Sequence, residues 1–326
     1  MNILYASNDG YARHLGVSLY SLLEHNKEAG ELSVYVLSVG MSQENRERLL
    51  SIAGEAKRPL TVIEMGDLKE RIHGNVDTRG FDISAMTRLF AAEALPDAVK
   101  KAIYLDCDTV ILGNLEPLWN TDLKGALIGM VPEPTVYEEM KASIDLAKDD
   151  PYYNSGVLLM DLERWRQEGL QDKLLQYYID KGGDLFACDQ DTLNGALKGR
   201  ICSLSPKYNF FTNYRYFDYK TLVGLNASYR EVGEKEFEEA KRRPVILHFM
   251  GDERPWIAGN HNHYRKYYEA YLSRTPWRDT PKETGKEAYM MLYWGMNHVT
   301  KLCPPARLWI SRHFGMKVID SRKKKR

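Results

Sequence analysis

The chain has 326 residues, 44% hydrophobic and 11% aromatic, enough apolar content for a globular core and too much for a disordered chain. Its net charge is zero but unevenly spread: residues 275–326 hold 12 basic and 4 acidic side chains, so an acidic body carries a basic tail that points to an anionic partner. No run approaches the ~20 apolar residues of a membrane span, and "MNILYASNDG" lacks the basic start of a signal peptide.

In chain order, "NILYA" (2–6) reads as a buried strand and "HLGVSLYSLLEHN" as a helix, with Leu15, Leu19, Leu22 and Leu23 at helical spacing. Residues 32–39 are a second strand. Residues 42–53 are a helix with Ser42 as N-cap, and 59–65 a third strand. A helix over 82–95 carries Ile83, Met86 and Phe90 on one stripe, followed by a strand at 101–106. Strands at 125–131 and 156–162, helices at 163–179 and 189–197, an aromatic irregular stretch at 198–229 and a strand at 244–249 complete the body. Alternating strands and helices indicate an α/β layer with a mostly parallel sheet, whose ligands sit beyond the carboxyl ends of the strands.

Two candidate ligand segments fall on that rim: "SNDGY" after the first strand and "YLDCDT" (104–109) after the fourth. Asp106 and Asp108 flank Cys107, and i, i+2 spacing in an extended segment puts both carboxylates on one side. Such a pair suits a hard divalent cation; a solvated turn is the other reading. His248 ends a buried strand and is either a hydrogen-bonded core residue or the nitrogen of an O,O,N set. One imidazole among oxygens favours Mn²⁺ over Ca²⁺, with Mg²⁺ still open. Asn154 in "NSG" is a turn residue or a sugar-binding amide. N-capping of the helix is the non-functional reading of Asp189, and it does not explain why Gln190 and Asp191 follow directly. In "HFMGDERPW", Gly251 permits backbone approach to a phosphate and Arg254 can neutralise one; a surface turn is the alternative. Cys107, Cys188, Cys202 and Cys303 form no CxxC pair and read as reduced thiols.

The blocks "NILYASNDGYARHLGVSLYSLL", "MTRLFAAEALP", "AIYLDCDTVILGNLEPLW", "YYNSGVLLMDLERWR", "DQDTLNGAL" and "HFMGDERPW" together resemble glycosyltransferase family 8. The likeness is to its bacterial members, the lipopolysaccharide α-galactosyl- and α-glucosyltransferases and general-stress-protein-A-like proteins. It covers roughly residues 1–270. It implies a GT-A fold, a mostly parallel Rossmann-like sheet flanked by helices; the composition beyond it reads as a basic C-terminal helical appendage at 271–326. The resemblance also implies a UDP-glucose or UDP-galactose donor, Mn²⁺ and a retaining hexosyl transfer to a glycan or lipid-linked acceptor.

Carried onto this chain, the resemblance makes Asp106, Asp108 and His248 the metal ligands. Ala6, Ser7, Asn8 and Tyr11 hold the uridine, and Arg88 and Cys107 lie near the donor. Asn154, Asp189 and Gln190 surround the transferred sugar as the catalytic group, and Gly251 and Arg254 close on the diphosphate. Family members often have Asp at position 8, Asn at 10 and Lys at 254, where this chain has Asn8, Gly10 and Arg254. A forked guanidinium is not a point charge. A metal-dependent nucleotidyltransferase would carry a glycine-rich phosphate loop, which "SNDGYARH" is not. A non-catalytic sugar-nucleotide-binding scaffold is the other alternative.

From Thr300 on there are nine basic residues and one acidic. "ARLWISRHFGMKVI" (306–319) mixes these with Trp309, Ile310 and Phe314, the pattern of an interfacial membrane anchor. A helix packed on the body is the alternative, and no nucleic-acid motif accompanies the charge. The expected location is cytoplasmic, peripheral on the inner face of the cell membrane.

Overall fold

A computed structural model describes residues 1–78, 82–310 and 313. Among these the strands are β1 (Asn2–Asn8), β2 (Ser33–Val39), β3 (Leu60–Glu64), β4 (Lys101–Leu105), β5 (Thr109–Ile111), β6 (Ile128–Pro132), β7 (Tyr153–Asp161), β8 (Ile201–Ser203), β9 (Phe210–Phe211) and β10 (Ile246–His248). Seven form one sheet in the order β3-β2-β1-β4-β7-β6-β8, and β5-β10-β9 form a second. β1 runs parallel to β2 and β4, while β7 is antiparallel to β4 and β6. The large sheet is therefore mostly parallel, with one reversed strand beside its centre.

Helical layers cover both faces, so the inner strands are near-continuous apolar runs. Successive β1 side chains serve opposite layers. Ile3 and Tyr5 join one core with α1 (Ala12–His25) and α2 (Gln43–Glu55), and Leu4 and Ala6 join the other. Leu15, Leu19, Leu22 and Leu23 of α1 are buried as their spacing predicts, and the Ser42 side chain accepts from the Asn45 amide at the start of α2.

Two predicted helices take other forms. Residues 82–95 form a 3₁₀ helix, Ile83–Phe90, followed by one α turn, Ala91–Ala94. Asp82 caps the 3₁₀ helix through the Ser84 amide, and Arg88 Nε bonds the Ala85 carbonyl three residues back. The helix predicted at 163–179 breaks into Leu162–Gln167 and Leu170–Asp180, because Gly169 between them adopts φ +57°.

Residues 198–229, read as irregular, instead hold β8, β9, two 3₁₀ turns and the helix Tyr219–Leu225, elements too short to show a period, and their Phe210, Phe211, Tyr214 and Tyr229 are fully buried. The segment after 270 packs directly on the body. Trp277 lies against Gly16, where a Cβ would overlap the indole, and Met290 joins the core shared with α1. Of the predicted anchor at 306–319, residues 311, 312 and 314–319 lie outside the described residues, as does the closing basic run.

Candidate active site and metal centre

The carboxyl ends of β1 and β4 meet as predicted. Cys107, between the two aspartates, points its Sγ at the Ala6 carbonyl, 3.1 Å away. The small sheet completes the site. β10 pairs antiparallel with β5, setting His248 opposite Thr109, and the Phe249 amide donates to the Asp108 carbonyl at 2.9 Å. His248 Nε2 then lies 3.1 Å from Asp108 and 3.8 Å from Asp106. One ligand atom from each residue falls within 4.8 Å of the others, a donor set of two carboxylates and one imidazole suited to a hard or borderline divalent ion.

The tautomer of His248 follows from its neighbours. The Gly156 amide donates to Asn154 Oδ1 at 2.8 Å, which fixes that side chain's orientation. Asn209 meets the same oxygen at 2.9 Å, so it presents its NH₂ there and turns its carbonyl to His248 Nδ1, 2.8 Å away. An amide carbonyl only accepts. Nδ1 therefore carries hydrogen, and Nε2 is the atom turned to the aspartates, the arrangement that orients metal-binding imidazoles. Gly156 also makes room for the ring, since a Cβ there would come within 2.7 Å of His248 Nδ1.

Burial would push Asp108 up, but His248 and then Arg254 outweigh it and hold its carboxyl below the usual range. Burial would push His248 down, and Asp108 followed by Asp106 outweighs it, keeping the imidazole above its ordinary value. Arg254 Nη2 is 3.8 Å from Asp108, and its buried Nε has no hydrogen-bond partner, a donor left over for an anionic ligand. Gly251, at φ +61°, begins the short 3₁₀ turn Gly251–Glu253 that precedes Arg254.

A second network lies beside the first. The buried Arg88 guanidinium bonds Asp106 at 2.8 Å, Asp189 at 3.2 Å and the Ser155 carbonyl at 2.6 Å, and lies over the Tyr104 ring. Burial lifts the Asp189 pKa to about 6 even with Arg88 pulling it down. Gln190 is engaged at both ends of its amide. Its Oε1 accepts from the Ser155 amide at 3.0 Å, and its Nε2 donates to the Tyr152 hydroxyl at 3.1 Å. At the carboxyl end of β1, Asn8 accepts from the Tyr11 amide and donates to Asp82 at 2.5 Å. An aspartate at position 8 would face Asp82 as a like charge, which gives the asparagine here a local reason.

Arg88, Asp106, Asp108, Asn154, Asp189, Gln190, His248 and Arg254 are thus linked through contacts within one cluster, with Ala6 and Cys107 at its edge. Sequence reasoning missed Asn209, Tyr152 and Glu133. Glu133 follows β6, is buried, and accepts from Asn154 Nδ2 at 2.8 Å. Burial raises its pKa from 4.5 to about 7, against the pull of Asn154.

The folded state therefore holds the Glu133 proton that the unfolded chain releases, so stability falls as pH rises from 4.5 to about 7 and stays lower above. Glu133→Gln removes that loss. The variant is expected to gain roughly 3 kcal/mol over the parent at pH 8 and nothing at pH 4, read by thermal melts. A gain independent of pH would contradict the assignment.

A family model, "Glycosyl transferase family 8", matches residues 2–259. The chain belongs to glycosyl transferase family 8. Among its relatives, "General stress protein A" of Bacillus subtilis (strain 168) is 29% identical over 280 residues, covering 85% of this chain and 94% of that protein. The "Lipopolysaccharide 1,2-glucosyltransferase" of Escherichia coli (strain K12) is 23% identical over 292 residues, covering 88% and 81%. The crystal structure of the galactosyltransferase LgtC with donor and acceptor sugar analogs superposes with TM-score 0.72 at 24% identity, covering 85% of this chain and 96% of that one. The fold is GT-A, and the DxD-like pair of this family 8 chain is Asp106 and Asp108.

Proposed function

We propose that this family 8 chain is a retaining hexosyltransferase that moves glucose or galactose from a UDP-sugar to a hydroxyl of a glycan or lipid-linked acceptor, with Mn²⁺ or Mg²⁺ as cofactor. The carrying observation is the Asp106–Asp108–His248 cluster, preset with Nε2 facing both carboxylates. These three residues would hold the ion. A divalent cation there stabilises negative charge on a departing diphosphate without proton transfer.

The remaining roles fall to the chain's own groups. Ala6, Ser7, Asn8 and Tyr11 line the uridine end. Arg88 orients Asp106 and Asp189, Gly251 shapes the closing turn, and Arg254 offers its free Nε to the diphosphate. Asn154 and Asp189 orient sugar hydroxyls. Retention requires attack from the departing face or two inversions. Gln190 is a poor nucleophile: it is an amide, and its carbonyl oxygen already accepts a backbone hydrogen bond. Same-face attack through a short-lived oxocarbenium-like species follows, with the leaving phosphate accepting the acceptor's proton. A trapped glycosyl adduct on Asp189 or Gln190 would rule this out.

The test is a panel of UDP-sugars with Mn²⁺. Turnover of UDP-glucose or UDP-galactose is expected, lost on chelation, with the product keeping the donor's anomeric configuration by ¹H NMR. No metal-dependent turnover of any UDP-sugar would refute the reading.

For location, the reading is cytoplasmic and peripheral, with 271–326 as the membrane-facing part. Among the described residues no helix is long and apolar enough to cross a membrane. The helix Glu287–Thr300 and the residues just past it turn Met291, Leu292, Val299 and Leu302 outward, 70%, 72%, 75% and 92% exposed, and nine basic residues follow Thr300. Each basic residue near anionic lipid adds about 1 kcal/mol. Removal of residues after 300 is expected to release the protein from phosphatidylserine vesicles in flotation; unchanged binding would end the idea.

A further inference from the structure

The turn that carries Arg254 is held from the C-terminal side by residues past the family match. Tyr293 Oη donates to Glu253 Oε1 at 2.6 Å, and Tyr289 Oη donates to Asp252 Oδ2 at 2.7 Å. The two tyrosines stand four residues apart on the helix Glu287–Thr300, with rings 6.3 Å apart and nearly parallel. The helix also sits on the chain just beyond the turn. At Gly259, φ +78°, a Cβ would come within 3.3 Å of Glu287 Cα. Glu283 brackets Trp256–Ala258 through two backbone bonds of 2.8 Å.

Glu253 is the pivot of this arrangement. It is buried, and its other carboxylate oxygen accepts from Asn262 at 2.8 Å. Its neighbour Arg254 is partly exposed, aims at Asp108, and keeps a buried Nε without partner. A flexible guanidinium at the end of a glycine-led turn has many orientations, and fixing its two preceding residues removes most of them.

We propose that Tyr289 and Tyr293 are positioning residues for donor binding: the C-terminal helix clamps Asp252 and Glu253 so that Arg254 points at the diphosphate. This rests on the reading that Arg254 meets that group. The same helix bears the outward apolar face, so the element that would touch a lipid surface also holds the donor turn.

The test is a double-mutant cycle between the pair Tyr289→Phe with Tyr293→Phe and Arg254→Ala, in the full chain, with UDP and saturating Mn²⁺ in calorimetry. The phenylalanine pair keeps both rings and removes only the hydroxyls. It is expected to weaken UDP about tenfold, the scale of a lost charge-assisted bond, and to raise the donor KM more than it lowers kcat. Mn²⁺ affinity without UDP should stay at the parent value. In the Arg254→Ala background the pair should add almost nothing, since coupled residues are not additive. Full additivity, unchanged UDP affinity in the pair, or an equal fall in Mn²⁺ affinity would overturn the clamp while leaving the Arg254 reading intact. An Arg254→Ala variant that binds UDP like the parent would sink that reading and the clamp with it.

Discussion

Asp108→Ala is expected to abolish sugar transfer, with a loss of at least about 10³-fold, and to remove detectable Mn²⁺ binding. Asp108 is buried, is held ionised by His248 at 3.1 Å and Arg254 at 3.8 Å, and offers one of the three atoms that would hold the ion. The stabilisation a divalent ion gives a leaving diphosphate is worth several kcal/mol, and each 1.36 kcal/mol is about tenfold in rate. Asp108→Asn keeps the shape and removes the charge, so it separates loss of the ligand from loss of packing. Both variants should fail in Mn²⁺ titration followed by electron paramagnetic resonance. Full activity of either in the presence of chelator would refute the metal role.

Gly156→Ala adds one methyl and is expected to cost on the order of 10²-fold in activity. The new Cβ would fall 2.7 Å from His248 Nδ1 and 3.0 Å from Asn154 Oδ1. Neither can yield freely. The imidazole is tied to Asn209, and Asn154 is tied to Gly156's own amide, to Asn209 and to Glu133. The ring must move away from Asp108, and Mn²⁺ affinity should fall with activity. The β7 backbone at Gly156 accepts from the Asp106 amide, so thermal melts are the control for general damage. Parent-like Mn²⁺ affinity in the folded variant would show that the ring has another place to go.

Asp106, Asp108 and His248 were legible as candidate ligands because buried strands are continuous apolar runs. Where "AIYL" and "PVIL" stop, Asp106 and His248 begin. What brings them together was not legible, because β5 and β9 are three and two residues long, too short for any periodicity. Asn209 escaped for a related reason. It lies in an aromatic stretch without a repeat, and its role is set by His248, 39 residues on. The 3₁₀ form of Ile83–Phe90 was hidden because Ile83 and Met86 share a stripe at either period over so few turns. Asp82 and Arg88, whose hydrogen bonds lock the tighter coil, announce only a cap and a charge.

Trp277 on Gly16 binds the two ends of the polypeptide as a key binds its lock. In related proteins the two positions are then expected to covary: those without an indole at the later site should tolerate alanine or larger at the earlier one, and those with it should not. Excising everything past 270 would likewise leave a greasy notch on α1 open to water, and a lower melting temperature is the expected result.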